Sequence, residues 1–123
     1  MSSFYAGLLA WLPTQGITTV PVIVGELPAE VYEAVIIAPT GSWKKPAPLI
    51  EARFPSVQIT VVSRSYSTAE ATAQAIFALL NGTGPHTMGT QPVGRVYAAQ
   101  DPFPLAADAR QRHRWVCNYN AVT

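Results

Sequence analysis

Between Pro55 and Gly82 the spacing of apolar residues changes once, and that change sets the fold class. In SVQITVVSR, Val57, Ile59 and Val61 alternate with Gln58, Thr60 and Arg64, with Val62 the exception, the period-two pattern of a strand with one buried face. Ala73, Ile76, Phe77 and Leu80 then return at intervals of three and four, which lines one side of a helix. Ser67-Thr68-Ala69-Glu70 reads as a capping box at its start, the serine oxygen taking a free backbone N–H and the glutamate reaching back to cap another. Gly82 falls where a left-handed cap is expected. A strand that feeds straight into a helix over about residues 68–81 predicts an α/β (α+β) domain in which one long helix lies across a single mixed, mainly antiparallel β-sheet.

The other segments fit around that unit. Phe4, Leu8, Trp11 and Leu12 form the apolar stripe of a short N-terminal helix that Pro13 ends, with Gly7 weakening it. GITTVPVIVGEL is extended, and Pro21 marks it as an edge strand, a bulge or an irregular segment. AVIIAP, from Ala34 to Pro39, is a continuous apolar run of the kind found in strands buried on both faces, and is placed centrally. TGSWKKPAP is a loop carrying Trp43, Lys44 and Lys45, and GTGPHTMGTQP is another. VGRVYAAQ is a short strand, DPFPLAADA an irregular connection, and RQRHRWVCNYNAV a long closing strand. Its Trp115, Cys117, Tyr119 and Ala121 would face the core, with Arg110, Arg112, Arg114, Asn118 and Asn120 on the opposite side. No internal repeat divides the chain, and its 123 residues fit one domain spanning 1–123.

Charge is scarce. Only 12% of residues are charged and 49% are hydrophobic, against roughly 25% charged in an ordinary soluble domain. A domain this small has proportionally more surface to cover, so much of its exterior must be apolar or merely polar, as expected of a subunit in an assembly. A net charge of +1 argues against a general nucleic-acid binder. The single Cys117 excludes an intrachain disulfide and suits a reducing compartment. The opening MSSFYAGLLAWLP lacks the basic start of a signal peptide and the roughly 20 apolar residues of a membrane span.

Catalytic patterns are missing. His113 and Cys117 have metal-binding chemistry, but four residues along a strand separates them by about 13 Å. Cys117 belongs to the core face as a structural thiol, and His86 sits in a turn-rich loop without a neighbouring ligand. GTGPHTMG follows a helix where a phosphate loop would precede one, and lacks the Gly-Lys-Ser/Thr ending. No catalytic, metal or cofactor site is therefore expected. Two features do stand out. Arg110, Arg112 and Arg114 would stand in one row on the final strand, a repulsive arrangement that Asp101, Asp108 or Glu51 could neutralise across the sheet, or that a partner's carboxylates or phosphates could. Trp43 beside Lys44 and Lys45 reads either as a solvated turn or as a docking loop.

FPSVQITVVSRSYSTAEATAQAIFALL and VGRVYAAQDPFPLAADARQRHRWVCNYNAV together resemble the tail terminator group, the small minor capsid or tail-completion proteins of long-tailed bacteriophages. The resemblance rests on the Val57-Gln58 strand ending in Arg64, the helix with Ala69, Ala73 and Leu80, the Asp101-Pro102-Phe103-Pro104 turn, the Asp108 to Arg112 segment and the Trp115 to Tyr119 strand. It spans residues 34 to 123. In place of the glycine-rich turn common after the strand corresponding to Ala34 to Pro39, this chain has PTGSWKK.

The resemblance implies a virion structural protein without cofactor or enzymatic activity, assembled in the host cytoplasm. It would form a hexameric ring at the head-proximal end of the tail tube, stop tube polymerisation and join tail to head, with DNA passing through its channel without sequence-specific contact and no membrane involved. Tail tube protein and a head–tail connector or neck protein are the implied partners. Arg110, Arg112, Arg114, Arg64, Asp101 and Asp108 become candidates for the subunit interface or channel, and Trp43, Lys44 and Lys45 for docking. A head-completion or neck adaptor is the alternative in the same class, and a small ligand-binding or enzymatic domain the alternative outside it.

Overall fold

Ala34, Val35, Ile36 and Ile37 are all buried, as a strand covered on both faces requires, and the sheet is built outward from them. The structure is a computed structural model that describes residues 3–17, 20–42 and 53–123. In chain order the elements are helix α1 (Phe4–Trp11), a 3-10 turn (Leu12–Gln15), strands β1 (Val22–Val24), β2 (Ala34–Ser42) and β3 (Pro55–Ser63), and helix α2 (Tyr66–Leu80). Strands β4 (His86–Met88), β5 (Gln91–Val93), β6 (Arg95–Ala98), β7 (Phe103–Leu105) and β8 (His113–Val122) follow. The main sheet has six strands in the order β1-β2-β3-β8-β6, with β7 also on β8; β4 and β5 form a separate hairpin. β1 runs parallel to β2 and the other pairs of the main sheet are antiparallel. The fold is thus α+β with a mixed sheet and two helices.

Alternation in the strands sorts the side chains into two layers. Val35, Ile37, Val57, Ile59, Val61, Trp115, Cys117, Tyr119 and Ala121 meet Phe4, Leu8 and Leu12 of the first helix and turn, and Ala69, Ala73, Ile76 and Leu80 of α2. Side chains from two elements closing over one sheet face in this way remove apolar surface from water at roughly 25 cal/mol per Å². On the opposite face Ala34, Ile36 and Val62 are covered by Ile23, Leu27 and Val31. No helix lies on that side among the described residues.

Several expectations need correcting. α2 begins at Tyr66 and ends at Leu80, so both ends lie earlier than the expected 68–81, and at 15 residues it is a short helix, one of two, not the one long helix expected. Its N-cap is Ser65, whose Oγ accepts from the Thr68 N–H at 3.3 Å. The Ser67 to Glu70 capping box is displaced because Ser65 takes the cap two residues earlier. The sheet is larger than the sequence suggests, since Phe103–Leu105 adds a strand to the edge of β8 despite flanking an apparently irregular segment. His86–Met88 and Gln91–Val93 pair within the presumed loop. Pro13 does not stop the first helical segment outright. It sits at the start of the 3-10 turn, where its missing N–H is unneeded, and Gly16, at φ 71°, ends the run.

Gly7 turns from a weakness into a requirement. A Cβ added there would lie 2.7 Å from the Met88 carbonyl oxygen and 3.0 Å from Gln91 Cβ, so glycine is what lets α1 lie against the β4–β5 hairpin. That approach seats His86 on α1: its ring stands 5.1 Å from Trp11 and its Nε2 lies 3.3 Å from Thr83 Oγ1. Gly82 has φ +81°, as a left-handed cap should, and its N–H donates to the Val96 carbonyl at 2.7 Å, tying the end of α2 to β6.

Candidate functional site

The arginine row does not exist as a row. β8 starts at His113, so only Arg114 of the three stands in the strand. A turn built by Asp108 takes the others. Its Oδ1 accepts from the Arg110 N–H at 2.9 Å and the Arg112 N–H at 3.1 Å, while its backbone carbonyl accepts from the Gln111 N–H at 3.0 Å and its N–H donates to the Arg112 carbonyl at 3.3 Å. Gln111 adopts φ 61°. An aspartate that binds the backbone two and four residues on competes successfully with strand pairing, and the alternation predicted for 110–114 is lost.

Arg112 turns inward. It is 8% exposed, its Nε donates to Asp108 Oδ2 at 2.7 Å, and its Nη1 donates to the carbonyls of Pro28 at 2.9 Å and Val31 at 3.0 Å. The guanidinium fork therefore clamps the 25–33 segment, which has no strand of its own, against the sheet face that Leu27 and Val31 cover. Burial pushes the Asp108 carboxyl up, but the N–H and guanidinium of Arg112 and the N–H of Arg110 outweigh it and hold the group below its usual range. Arg112 and Asp108 are structural partners, and they form the one ion pair among the described residues.

Arg114 is different. Its Nη2 donates to the Ala106 carbonyl at 2.8 Å, its Nε is buried without an acceptor, and no carboxylate is paired with it among the described residues. It stands at the rim of a shallow groove of about 260 Å³, lined also by Leu27, Ala38, Gln58, Thr60 and the Arg112–Asp108 pair. The pair is neutral as a unit, so Arg114 leaves the groove with one uncompensated positive charge. Along the edge of the same face Phe103 and Leu105 of β7 are 37% and 39% exposed, standing opposite Val116 and Arg114 of β8. The result is a grooved sheet face with one cation, Arg114, that no carboxylate among the described residues pairs, and an apolar margin, suited to taking a protein surface.

The remaining candidates lie elsewhere. Arg110 is exposed, and Arg64 is exposed at the end of β3 with its guanidinium 4.1 Å from the centre of the Tyr32 ring and its N–H donating to Glu33 Oε1 at 3.2 Å. Asp101 is exposed between β6 and β7. Trp43, Lys44, Lys45 and Glu51 lie outside the described residues. Cys117 is buried, with Sγ 3.1 Å from the Gln100 carbonyl. Burial raises its pKa and raises that of Tyr119, so both stay protonated in the core. Sequence reasoning missed Gln58 and Thr60 as groove residues, although their position opposite Val57, Ile59 and Val61 was readable; nothing in the sequence signalled that the 25–33 segment would be held by an arginine from the far end of the chain.

The fold and this surface can be set beside known proteins. One solved chain, from the virion of a native gene transfer agent particle, is 16% identical, with 98% of each chain covered and a TM-score of 0.71. A second solved chain is 20% identical over 96% of this chain and 89% of its own, with a TM-score of 0.52. At these identities the likeness is one of fold. No curated protein matches. The model of the bacteriophage tail terminator proteins matches residues 6–123, taking in α1 from its third residue, α2, the strands described above and most of the part before Ala34 that carries no visible resemblance in sequence. This chain belongs to the bacteriophage tail terminator family.

Proposed function

We propose that the protein closes a ring at the head-proximal end of the phage tail tube, halts addition of further tube subunits and provides the surface to which the head-side connector docks. The observation that carries this reading is the family match across residues 6–123. The surface is in keeping with it. Phe103 and Leu105 on one sheet edge, Tyr97 on β6, and Val24 on β1 are all exposed apolar side chains, and charge is sparse throughout, as in subunits that bury much of their exterior against copies of themselves. The protein acts by self-association and docking, with no chemical step.

The test is tube growth. Purified protein added to polymerising tail tube protein should cap the ends and stop elongation, so that tube length is fixed by the moment of addition. Tubes that go on lengthening at the uncapped rate would overturn the reading. Binding to isolated portal complexes in preference to tube ends would identify a neck adaptor.

A further inference from the structure

The helix layer and the part of the sheet face that Ile23, Leu27 and Val31 leave uncovered lie on opposite sides of the domain, and their chemistry is complementary. The outward side of α2 presents Ser67, Glu70, Ala71, Gln74 and Ala78, all exposed. Glu70 is the one charge on the helix, and no cation pairs with it among the described residues. The remaining side chains are mostly small, so this side of the helix can come close to a flat partner. Across the domain, the sheet face carries Gln58, Thr60 and Arg114, which no carboxylate among the described residues pairs, around the groove.

We propose that, in the ring of the preceding section, on which this inference rests, the outer side of α2 of one copy packs on the open sheet face of the next, with Glu70 accepting from the Arg114 guanidinium. Three observations favour a second copy as the occupant. Among the described residues, Glu70 on α2 and Arg114 on the sheet face are charges without an ion-pair partner, and beside Arg114 the groove holds only the mutually neutralised Arg112–Asp108 pair, which favours this register and opposes others. Front-to-back packing is heterologous, the contact type that generates rings when its rotation closes. Pairing two sheet faces about a two-fold axis near Arg114 would instead bring two Arg114 guanidinium groups together with the groove's Asp108 already committed to Arg112, a like-charge contact.

A charge swap tests the arrangement, read as ring mass by light scattering with and without tail tubes present. Glu70→Arg, an exposed substitution on α2, and Arg114→Glu should each weaken subunit association by roughly 30-fold or more, as breaking a desolvated charge pair does. The double variant Glu70→Arg/Arg114→Glu should recover most of the ring. Glu70→Gln, which keeps the size of the side chain, and Arg114→Gln, which removes the guanidinium charge with a shorter polar side chain, should fall between, and circular dichroism establishes that each variant is folded. Rings that form equally well in both folded single variants would overturn this interface while leaving the ring intact, as would a double variant no better than either single one. Variants that ring normally but no longer cap tubes would assign the face to the tube protein and overturn the inference in the same way. A wild-type protein that closes no ring, alone or on tubes, would instead overturn the function proposed above and this interface with it.

Discussion

Removing the Arg112 guanidinium while keeping its aliphatic volume, as in Arg112→Met, should destabilise the domain far more than its position on a surface turn suggests. The side chain is 10% exposed and its Nε lies 2.7 Å from Asp108. Three backbone carbonyls accept from its Nη1, those of Pro28 and Val31 at 2.9 and 3.0 Å and, more weakly, that of Ala29 at 3.4 Å. Each is a charge-assisted bond, and hydrogen bonds to charged groups contribute about 1.5–3 kcal/mol apiece in mutational series. Adding the bonds would overcount, because Asp108 retains its two backbone donors and the 25–33 carbonyls can turn to water once the segment loosens. Breaking a buried pair from one side costs about 3–5 kcal/mol, and the partial exposure of both partners lowers that, so the expected loss is about 2–4 kcal/mol. For a domain of this size the corresponding fall in Tm is on the order of 8–15 °C. Thermal unfolding by circular dichroism measures it, with Arg110→Met as control, since the Arg110 contact to Asp108 is made by its backbone N–H and an exposed substitution should stay within about 0.5 kcal/mol. If Arg112→Met melts within a degree or two of Arg110→Met, the clamp described here is wrong.

Three further outcomes follow from the packing. The Asp108 carboxyl is held below its unfolded value, so its contribution is fully present above the ordinary carboxylate pKa of about 3.9 and is lost as pH falls through the lower, folded value; chemical denaturation between pH 6 and pH 2 should show a decline at the acid end that Asp108→Asn removes. Gly7→Ala should destabilise by about 1–3 kcal/mol despite alanine's higher helix propensity, because the new methyl meets the Met88 carbonyl at 2.7 Å; a rise in Tm would contradict the account of that contact. Cys117 is 3% exposed with a pKa raised by burial, so it should react with a thiol reagent only at the rate of unfolding, and prompt labelling of native protein would refute its placement in the core.

Much of the fold is legible in the sequence because burial writes its period directly into the chain. The alternation of Val57, Ile59 and Val61, the stripe of Ala73, Ile76 and Leu80, and the unbroken Ala34 to Ile37 run each match the layer they occupy. What escaped reading depended on short-range hydrogen bonding or on partners distant in sequence. Asp108 captured Arg110 and Arg112 in a turn because a side-chain carboxylate offers backbone N–H groups an alternative to the strand ladder, and no periodicity records that competition. Phe103–Leu105 joined the sheet with Pro104 at its centre, which an edge strand tolerates and a central one would not. The arginine row pointed to the right end of the molecule for the wrong reason: one arginine holds the fold together, one is solvated, and Arg114 alone faces a surface left open. That no carboxylate among the described residues pairs with it became visible only when the turn had been resolved.

The measurement that bears most directly on the account is the mass of the purified protein by multi-angle light scattering, alone and after incubation with isolated tail tubes, together with negative-stain images of the tube ends. Ring closure at the tube end predicts a discrete closed oligomer, free in solution or seated at one end of each tube. A monodisperse monomer that leaves tube ends bare at all concentrations would contradict it.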